Sequence, residues 1–312
     1  MPVVSTTFAS LPAMFGGLGP ESIGWLLIDE AGQAAPQQAA GAIFRARRTV
    51  VVGDPMQLEP VVTLPWRGQQ ALLRLYGVPE EWAPSRTSAQ GVADRLMRYG
   101  TVLPGGAPAG APAWVGMPLR VHRRCDRTVF EVSNEIAYDG LMVFGTRGSG
   151  SFPGRDRWFD VRSGGAQGHW VPAEGERLRA LLHELLAAGV GPAQIRVLSP
   201  FRQVAAEAAV VHREVFGDAC SADDRRKWVG TVHTMQGKEA DVVILVLGGG
   251  AGGAAARAFA TRTPNLLNVA VTRARRRLYV IGDCASWAAE PYFAVLARHL
   301  GVLPVAVPGG PG

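Results

Sequence analysis

Short runs of Val, Ile and Leu constrain the fold of this chain more than any other feature of its sequence. These runs lack the alternation of polar and apolar residues that marks half-exposed strands, so they predict strands buried on both faces. Helical patterns at residues 176–188 and 203–216 lie between some of them. Strands that alternate with helices indicate an α/β protein with a largely parallel sheet. The runs are residues 25–28, 49–52, 195–198, 229–232, 242–247 and 278–281.

The length of 312 residues is enough for about two domains with separate cores. Residues 104–112 read PGGAPAGAP, and Pro and Gly at this density exclude a helix or a central strand. We therefore expect a linker there, with one domain at residues 1–113 and the other at residues 114–312.

Several classes of protein are excluded by what the sequence lacks. The longest apolar run, residues 242–247, is far shorter than the roughly 18 to 20 residues that span a membrane. No basic segment followed by an apolar stretch opens the chain, so a secretory signal is not expected. Cys125, Cys220 and Cys284 are too few and too widely spaced for a disulfide framework or a zinc site. These features predict a cytoplasmic protein without membrane contact.

The net charge of +6 comes from an unusual set of basic residues. Only Lys227 and Lys238 are lysines, and all other basic residues are arginines, the side chains that best fit phosphate and carboxylate groups. The whole excess lies in residues 118–312. The charge favours an anionic partner, although a general compositional preference for arginine would give the same count.

Two of the predicted strands end in polar residues suited to phosphate chemistry. The segment WLLIDEAGQ, residues 25–33, ends its apolar run at Asp29 and Glu30, where one carboxylate can hold Mg²⁺ and the other can activate water. The segment VVVGDPMQLEPV, residues 50–61, continues into Gly53, Asp54 and Gln57, and a glutamine there can orient an attacking water. The alternatives are solvated loop acids and an ordinary turn in which Asp54 caps a helix.

Two further segments concentrate positive charge. LRVHRRC, residues 119–125, holds three arginines, which would reach a phosphate or form a solvated helix face. Residues 273–277 hold four arginines immediately before a buried strand, at Arg273, Arg275, Arg276 and Arg277. Charges of one sign repel at this spacing, so we expect these guanidinium groups to face bound anions.

Taken in order, these segments resemble the motifs of superfamily 1 helicases, in the 1B branch that contains the nonsense-mediated-decay helicase. DEAGQ resembles motif II, GDPMQLEP motif III and LRVHRRC motif IV. QGKEAD, within residues 229–241, resembles motif V, and VAVTRARRRL resembles motif VI. VVSTTFAS, residues 3–10, and SPFRQ, residues 199–203, resemble two smaller nucleic-acid-facing elements. The resemblance implies tandem RecA-like P-loop NTPase domains with parallel sheets, the first truncated at its amino terminus.

The resemblance also implies a role for particular residues. Asp29 would bind Mg²⁺, Glu30 would activate the hydrolytic water and Gln57 would link the γ-phosphate of ATP to the nucleic-acid site. Arg120 and Arg273 would be the two arginine fingers. The other implied nucleotide contacts are Gly53, Asp54, Gly237 and Glu239. Single-stranded DNA or RNA would lie against Ser5, Thr6, Ser199, Thr231 and His233.

One motif that an ATPase of this kind needs is absent from the sequence. A P-loop requires G-x-x-x-x-G-K-[ST], and the only Gly-Lys pair, Gly237-Lys238, is followed by Glu239. We expect the P-loop in a segment upstream of Met1, residues 1–113 to fold poorly alone, and the isolated chain not to hydrolyse ATP.

Two other functions stay open at this point. The first is a non-catalytic nucleic-acid-binding fragment or remnant of such a helicase. The second is a dinucleotide-dependent enzyme built on GGGAGG, residues 248–253, which formally matches G-x-G-x-x-G. It is the weaker of the two, because no acidic residue for the ribose lies between Asp241 and Asp283.

Overall fold

The computed structural model describes residues 3–103, 112–147, 150–162, 164–217, 220–235, 237–249 and 253–305. The chain divides into two compact units, Met1–Leu119 and Arg120–Gly312. Both units combine helices with parallel strands, so the predicted α/β class with parallel sheets is confirmed.

The first unit contains two small sheets. Its helices and strands are α1 (Leu11–Phe15), β1 (Leu26–Ile28), α2 (Pro36–Phe44), β2 (Thr49–Val51), α3 (Trp66–Tyr76), α4 (Ala89–Leu96), β3 (Gly100–Leu103) and β4 (Ala113–Gly116). Short 3₁₀ helices occur at Ala31–Gln33 and Glu80–Trp82. Strands β1 and β2 are parallel, with Leu27 opposite Val50, whereas β3 and β4 are antiparallel.

Burial in the first unit corrects the prediction of strands covered on both faces. Ile28 is 3% exposed and packs with alanines of the following segments, but Leu27, between Leu26 and Ile28, is 71% exposed. Among the described residues, β1 and β2 pair in a sheet only with each other. The prediction was wrong here because a two-stranded sheet with helices on one side buries every second residue and leaves the others in solvent.

The glycine- and proline-rich segment comes shortly before the boundary between the two units in the sequence. Residues 104–111 lie outside the described residues, and the strands on either side of them, β3 and β4, pair with Leu103 opposite Ala113. The segment therefore joins two strands of the first unit. The boundary between the units follows Leu119, so the expected division after residue 113 falls within the first unit.

The second unit is built on one larger sheet. Its elements are β5 (Val121–His122), α5 (Arg127–Ala137), β6 (Val143–Phe144), β7 (Arg157–Asp160), α6 (Pro172–Ala187), β8 (Ile195–Ser199), α7 (Arg202–Phe216), α8 (Ala222–Trp228), β9 (Val229–Thr231), β10 (Ala240–Val246), α9 (Ala254–Ala260), α10 (Asn265–Thr272), β11 (Ala274–Gly282), α11 (Cys284–Trp287), α12 (Pro291–His299) and β12 (Gly301–Pro304). Short 3₁₀ helices occur at Pro192–Gln194 and His233–Met235. The six strands of the sheet are parallel and lie in the order β12-β7-β11-β10-β8-β9.

Strand β10 is the centre of the second unit's core. Residues 242–246 have no exposed surface, as expected for a strand covered on both faces. Helix α6 contributes Leu178, Leu181, Leu182 and Leu185, whose spacing places them on one face, and all four are buried. The candidate site residues from Ser199 to Arg273 lie at the ends of strands of this sheet or in the turns beside them. Within the described residues, no helix has both the length and the apolar character needed to cross a membrane.

Candidate functional site

The carboxylates of the first unit lie in the turn that follows β1. Glu30 has left-handed backbone geometry, with φ of 53°, which is uncommon outside glycine. Its backbone N–H donates to Asp29 Oδ1 at 2.9 Å, and Gln33 Nε2 donates to Glu30 Oε2 at 3.0 Å. Both carboxyl groups are exposed at the carboxyl end of the strand, the place predicted for them.

The turn after β2 is held by Asp54. Its Oδ1 accepts a hydrogen bond from the Met56 backbone N–H at 2.9 Å, and its Oδ2 accepts one from Gln57 Nε2 at 3.0 Å. Asp54 therefore fixes the direction of the Gln57 side chain.

Two glycines bring these turns together. A Cβ on Gly53 would lie 2.7 Å from Gly32 N, and a Cβ on Gly32 would lie 2.8 Å from Asp54 O. Because β1 and β2 are parallel neighbours, their carboxyl ends meet at one edge, and only glycine permits this approach. The structure thus assembles Asp29, Glu30, Gly53, Asp54 and Gln57 as one group.

The chemistry of this group fits Mg²⁺ that shares its ligands with a phosphate and water. Mg²⁺ commonly takes one or two protein carboxylates and completes its shell with water and phosphate oxygens. Asp29 is exposed and uses Oδ1 for the Glu30 N–H, which leaves its other oxygen available. No group of three or more His, Cys, Asp or Glu residues suited to holding a metal occurs within the described part of the chain.

In the second unit, the residues predicted to touch nucleotide precede their strands. Gly237 and Glu239 come before β10, and Arg273 comes before β11, where its carbonyl accepts a hydrogen bond from the Ala240 N–H at 3.0 Å. They therefore lie at the amino edge of the sheet. Arg273 thus has the position indicated by the sequence, immediately before a buried strand.

Glu239 is the centre of an ion-pair cluster at this edge. Its Oε1 lies 2.7 Å from Arg124 Nε and its Oε2 lies 3.2 Å from Arg275 Nε. Arg120 makes a different contact, since its Nε donates to the Leu141 carbonyl at 2.6 Å. Of the arginines in LRVHRRC, the structure places Arg124 beside the motif V glutamate. The resemblance implied Arg120 as the finger and gave Arg124 no role.

The four arginines of residues 273–277 do not share one environment. Arg273 is only 2% exposed, and its Nε donates to the Val269 carbonyl at 3.2 Å. Arg277 donates to the carbonyls of Phe152 and Gly154 at 2.7 and 2.9 Å, and it lies 3.5 Å from Asp126. Arg275 is the exposed member beside Glu239. Arg273 and Arg277 thus donate to protein carbonyls, and the expectation that all four arginines face bound anions stays a prediction.

A cavity of about 580 Å³ opens beside this cluster. Arg123 and Arg147, which also line it, form no ion pair with any described residue. An excess of positive charge in a concave site suits a phosphate-bearing ligand. Arg123 and Arg147 were not among the predicted site residues. The side chains that line the cavity include Arg123, Arg124, Arg147, Asp241, Arg275 and Arg276.

The predicted nucleic-acid residues of the second unit lie at the opposite, carboxyl edge. Ser199 ends β8 and Thr231 ends β9, and His233 follows in the next turn. Thr231 Oγ1 accepts a hydrogen bond from the Thr234 backbone N–H at 3.3 Å, and His233 is exposed. Partial burial of the His233 ring and the nearby charge of Arg202 both lower the pKa of His233.

Ser199 is the exception within this group. Its side chain has no exposed surface, and its hydroxyl accepts a hydrogen bond from the Phe201 backbone N–H at 3.2 Å. It shapes the turn after β8 and presents no surface to a ligand in this conformation. Ser5 and Thr6, in the first unit, are both exposed.

The glycine-rich loop after β10 is described only in part, since residues 250–252 lie outside the described residues. The Gly248 N–H donates to Glu174 Oε2 at 2.8 Å, and the Gly249 N–H donates to the His169 carbonyl at 2.8 Å. A dinucleotide-binding loop turns such N–H groups toward a pyrophosphate. Both of these N–H groups are already used inside the protein.

Family models match most of this chain. A model described as an AAA domain matches residues 116–285, more than half of the chain, and a second model with the same description matches residues 3–64.

Solved helicase structures are similar at low identity. An Arterivirus nonstructural protein 10 helicase in complex with DNA is 16% identical, with a TM-score of 0.40, over 86% of this chain and 42% of its own. The PRRSV helicase is 16% identical, with a TM-score of 0.41, over 88% and 39%. The C-terminal domain of a possible DNA helicase from Lactobacillus plantarum is 10% identical, with a TM-score of 0.36, over 58% and 98%. The chain thus spans less than half of the two viral helicases.

Proposed function

The chain belongs to the AAA-domain family, and from that premise we propose that it is the carboxyl-terminal motor portion of a superfamily 1 ATP-dependent helicase or translocase. Its ligands would be ATP with Mg²⁺ and a single strand of DNA or RNA. Hydrolysis of ATP would drive movement along the strand.

One observation carries this proposal: the second unit separates two sets of residues on opposite edges of one sheet. Glu239, Arg273 and Arg275 lie where β10 and β11 begin. Thr231 and His233 lie where β9 ends. A motor needs a nucleotide site and a strand site that are distinct but mechanically linked, and a rigid parallel sheet supplies such a link.

In the first unit, Asp29 and Glu30 would divide the work at the phosphate. Asp29 would hold the metal ion, which when bound neutralises negative charge on the phosphate groups. Glu30 would accept a proton from the attacking water, because its carboxylate is exposed and oriented by Gln33. Gln57, tied to Asp54, would orient the same water.

In the second unit, we propose Arg120 as the motif IV finger, as the resemblance implies, and Arg124, beside Glu239, as a further contact to phosphate. Arg124 and Arg275 flank Glu239, and an arginine in such a place stabilises the charge that develops on a phosphoryl group. Glu239 would hold both guanidinium groups in place before the nucleotide binds. Arg273, buried in this conformation, would reach the phosphate only after a rearrangement.

Because the sequence holds no P-loop, we propose that turnover requires a P-loop-bearing segment from outside these 312 residues. The chain alone would bind a single strand and would not hydrolyse ATP. Production of the chain joined to a P-loop-bearing segment encoded upstream should give Mg²⁺-dependent ATP hydrolysis stimulated by single strands.

The variant Glu30→Gln tests the chemistry of that assembly. It should lower the hydrolysis rate at least about a hundredfold, as expected for loss of a general base, and leave binding of a non-hydrolysable ATP analogue intact. Glu81→Gln is the matched control, because Glu81 is an exposed acid of the same unit. Robust hydrolysis by the 312-residue chain alone, abolished by Glu30→Gln, would contradict the need for an added P-loop.

The absence of a P-loop also favours a second function, a non-catalytic nucleic-acid-binding fragment. The same experiment distinguishes the two functions. If the chain is a non-catalytic fragment, joining it to a P-loop-bearing segment would not give ATP hydrolysis. A dinucleotide-dependent enzyme receives no support, because Gly248 and Gly249 already use their N–H groups. The free cysteines at positions 125, 220 and 284 are consistent with a reducing, cytoplasmic setting, which stays a prediction.

A further inference from the structure

An exposed histidine at the carboxyl edge of the second unit has an aromatic ring directly beneath it. The imidazole of His169 stacks on Phe201 with the ring centroids 4.4 Å apart and the planes 9° from parallel. Phe201 is only 7% exposed, whereas His169 is exposed. One face of the His169 ring is therefore supported by protein.

The support continues into the core as a row of rings. Phe201 lies 6.4 Å from Trp287, and Trp287 lies 4.7 Å from Phe293. Trp287 and Phe293 are buried. His169 is thus the outermost member of a row that is anchored in the packed interior, so its ring is held rigidly.

The backbone of His169 is fixed as well. Its N–H donates to Gln203 Oε1 at 2.9 Å, and its carbonyl accepts the Gly249 N–H at 2.8 Å. The Gln203 side chain also donates to the Gln167 carbonyl at 2.9 Å. A ring fixed through both side chain and backbone loses little conformational freedom when a ligand packs on it.

The His169 ring lies next to the surface that we propose binds single-stranded nucleic acid. Phe201 comes two residues after Ser199, at the end of β8. Arg202, the next residue, is exposed and forms no ion pair with any described residue. Its positive charge lowers the pKa of His233, so the two side chains lie near each other. Proteins that bind single strands combine such cationic side chains for the backbone with flat rings for the bases.

We propose that His169 is a stacking platform for one base of the bound single strand, with Arg202 placed to contact a neighbouring phosphate. The platform rests on the proposed function, because the single strand is its ligand. Recognition by stacking requires a base, but it does not depend on which base is present. Gln203 acts as a positioning residue that keeps the platform in place.

The test compares two probes on the full chain by fluorescence anisotropy. One probe is a short oligothymidylate, and the other is an oligonucleotide of equal length whose sugars carry no bases. His169→Ala should weaken binding of the first about five- to tenfold, toward the lower end of the loss seen when a base loses its aromatic partner. It should leave binding of the abasic probe unchanged. His169→Phe should restore the affinity for oligothymidylate, because it keeps a ring.

His183→Ala is the matched control, since His183 is an exposed histidine on helix α6 of the same unit. It should change neither affinity. Thermal melts of each variant separate a loss of folding from a loss of contact. Equal losses on both probes, or no loss on either, would overturn the platform while single-strand binding stands. If the unmodified chain binds neither probe, the platform and the proposed function both fail.

Discussion

Glu174 is a carboxyl group without any exposed surface, close to the glycine-rich loop after β10. Its Oε2 accepts the Gly248 N–H, and its Oε1 has no hydrogen-bond partner among the described residues. Burial raises the pKa of Glu174 from 4.5 to about 8, and the negative charge of Asp283 acts in the same direction, against the opposing effect of the Gly248 N–H. The group is therefore protonated at neutral pH, and this removes the cost of a buried charge.

This raised pKa predicts how stability depends on pH. The folded protein keeps the proton up to about pH 8, whereas the unfolded chain loses it near 4.5. Folding thus takes up a proton between these values, and the free energy of unfolding falls as pH rises, by up to about 1.4 kcal/mol per pH unit. Glu174→Gln removes this slope, because the amide keeps an acceptor for Gly248 and does not ionise.

Urea unfolding at pH 5 and pH 8 measures the effect. Glu174→Gln should be close to the unmodified protein at pH 5 and more stable at pH 8. Glu176→Gln, an exposed position on the same helix, is the control and should show no such difference. A Glu174→Gln variant that is less stable at pH 8 than the unmodified protein would show that the buried group is ionised.

At this scale the sequence predicts some site residues and misses others for a clear reason. Asp29 and Glu30 directly follow an apolar run, which marks them as residues at a strand end, whereas the role of Glu239 came only from the resemblance to helicase motif V. The sequence does not single out Arg124, because LRVHRRC holds three arginines and their spacing does not show which of them contacts Glu239. The structure separates Arg124 from Arg120 through the ion pair with Glu239, a contact between residues 115 positions apart in the chain.

Among the elements of the second unit, the turn after β10 requires glycine at position 248. Gly248 has φ of 60°, and a Cβ there would lie 2.4 Å from the His169 carbonyl oxygen and 2.5 Å from Val204 Cγ2. The turn connects the core strand to the backbone beneath the His169 ring. Any side chain at position 248 therefore disturbs both the fold and the proposed platform.

We predict that Gly248→Ala destabilises the protein by at least about 1 to 2 kcal/mol, the cost of left-handed geometry alone for a residue with a Cβ. The clash with the His169 carbonyl adds to this cost. Gly191→Ala is the matched control, because the nearest atom to its Cβ lies 3.8 Å away. Urea unfolding measures both, and equal stability of the two variants would contradict the turn geometry.

The elements that the sequence predicts are those with strong apolar patterns. The long buried strands β8, β10 and β11 and the helices α6 and α7 lie where the runs and helical spacing indicate. Strand β7 has the sequence RWFD and β12 has the sequence GVLP. The charged residues of β7 and the glycine and proline of β12 interrupt any apolar run, so the sequence does not predict these strands. They form strands because β7 pairs with β11 and β12 pairs with β7, and this pairing is a property of the sheet.

On the scale of the whole molecule, the two units differ in how completely they bury their strands. Residues 242–246 in the second unit have no exposed surface, whereas Leu27 and Val50 in the first are 71% and 40% exposed. The exposed face of β1 and β2 supports the expectation that residues 1–113 fold poorly alone, which stays a prediction. The sequence could not show this exposure, because a buried and a half-covered strand can share the same apolar composition.

The division of the second unit into two edges is the central claim at this scale. Hydrogen–deuterium exchange of the full chain, with and without saturating oligothymidylate, tests it most directly, because the peptides report each edge separately. We predict that oligothymidylate slows exchange at residues 199–203 and 231–235 and leaves exchange at residues 273–277 unchanged. Slower exchange confined to residues 273–277, with none at the other two segments, would place the strand at the arginine-rich edge and contradict the account.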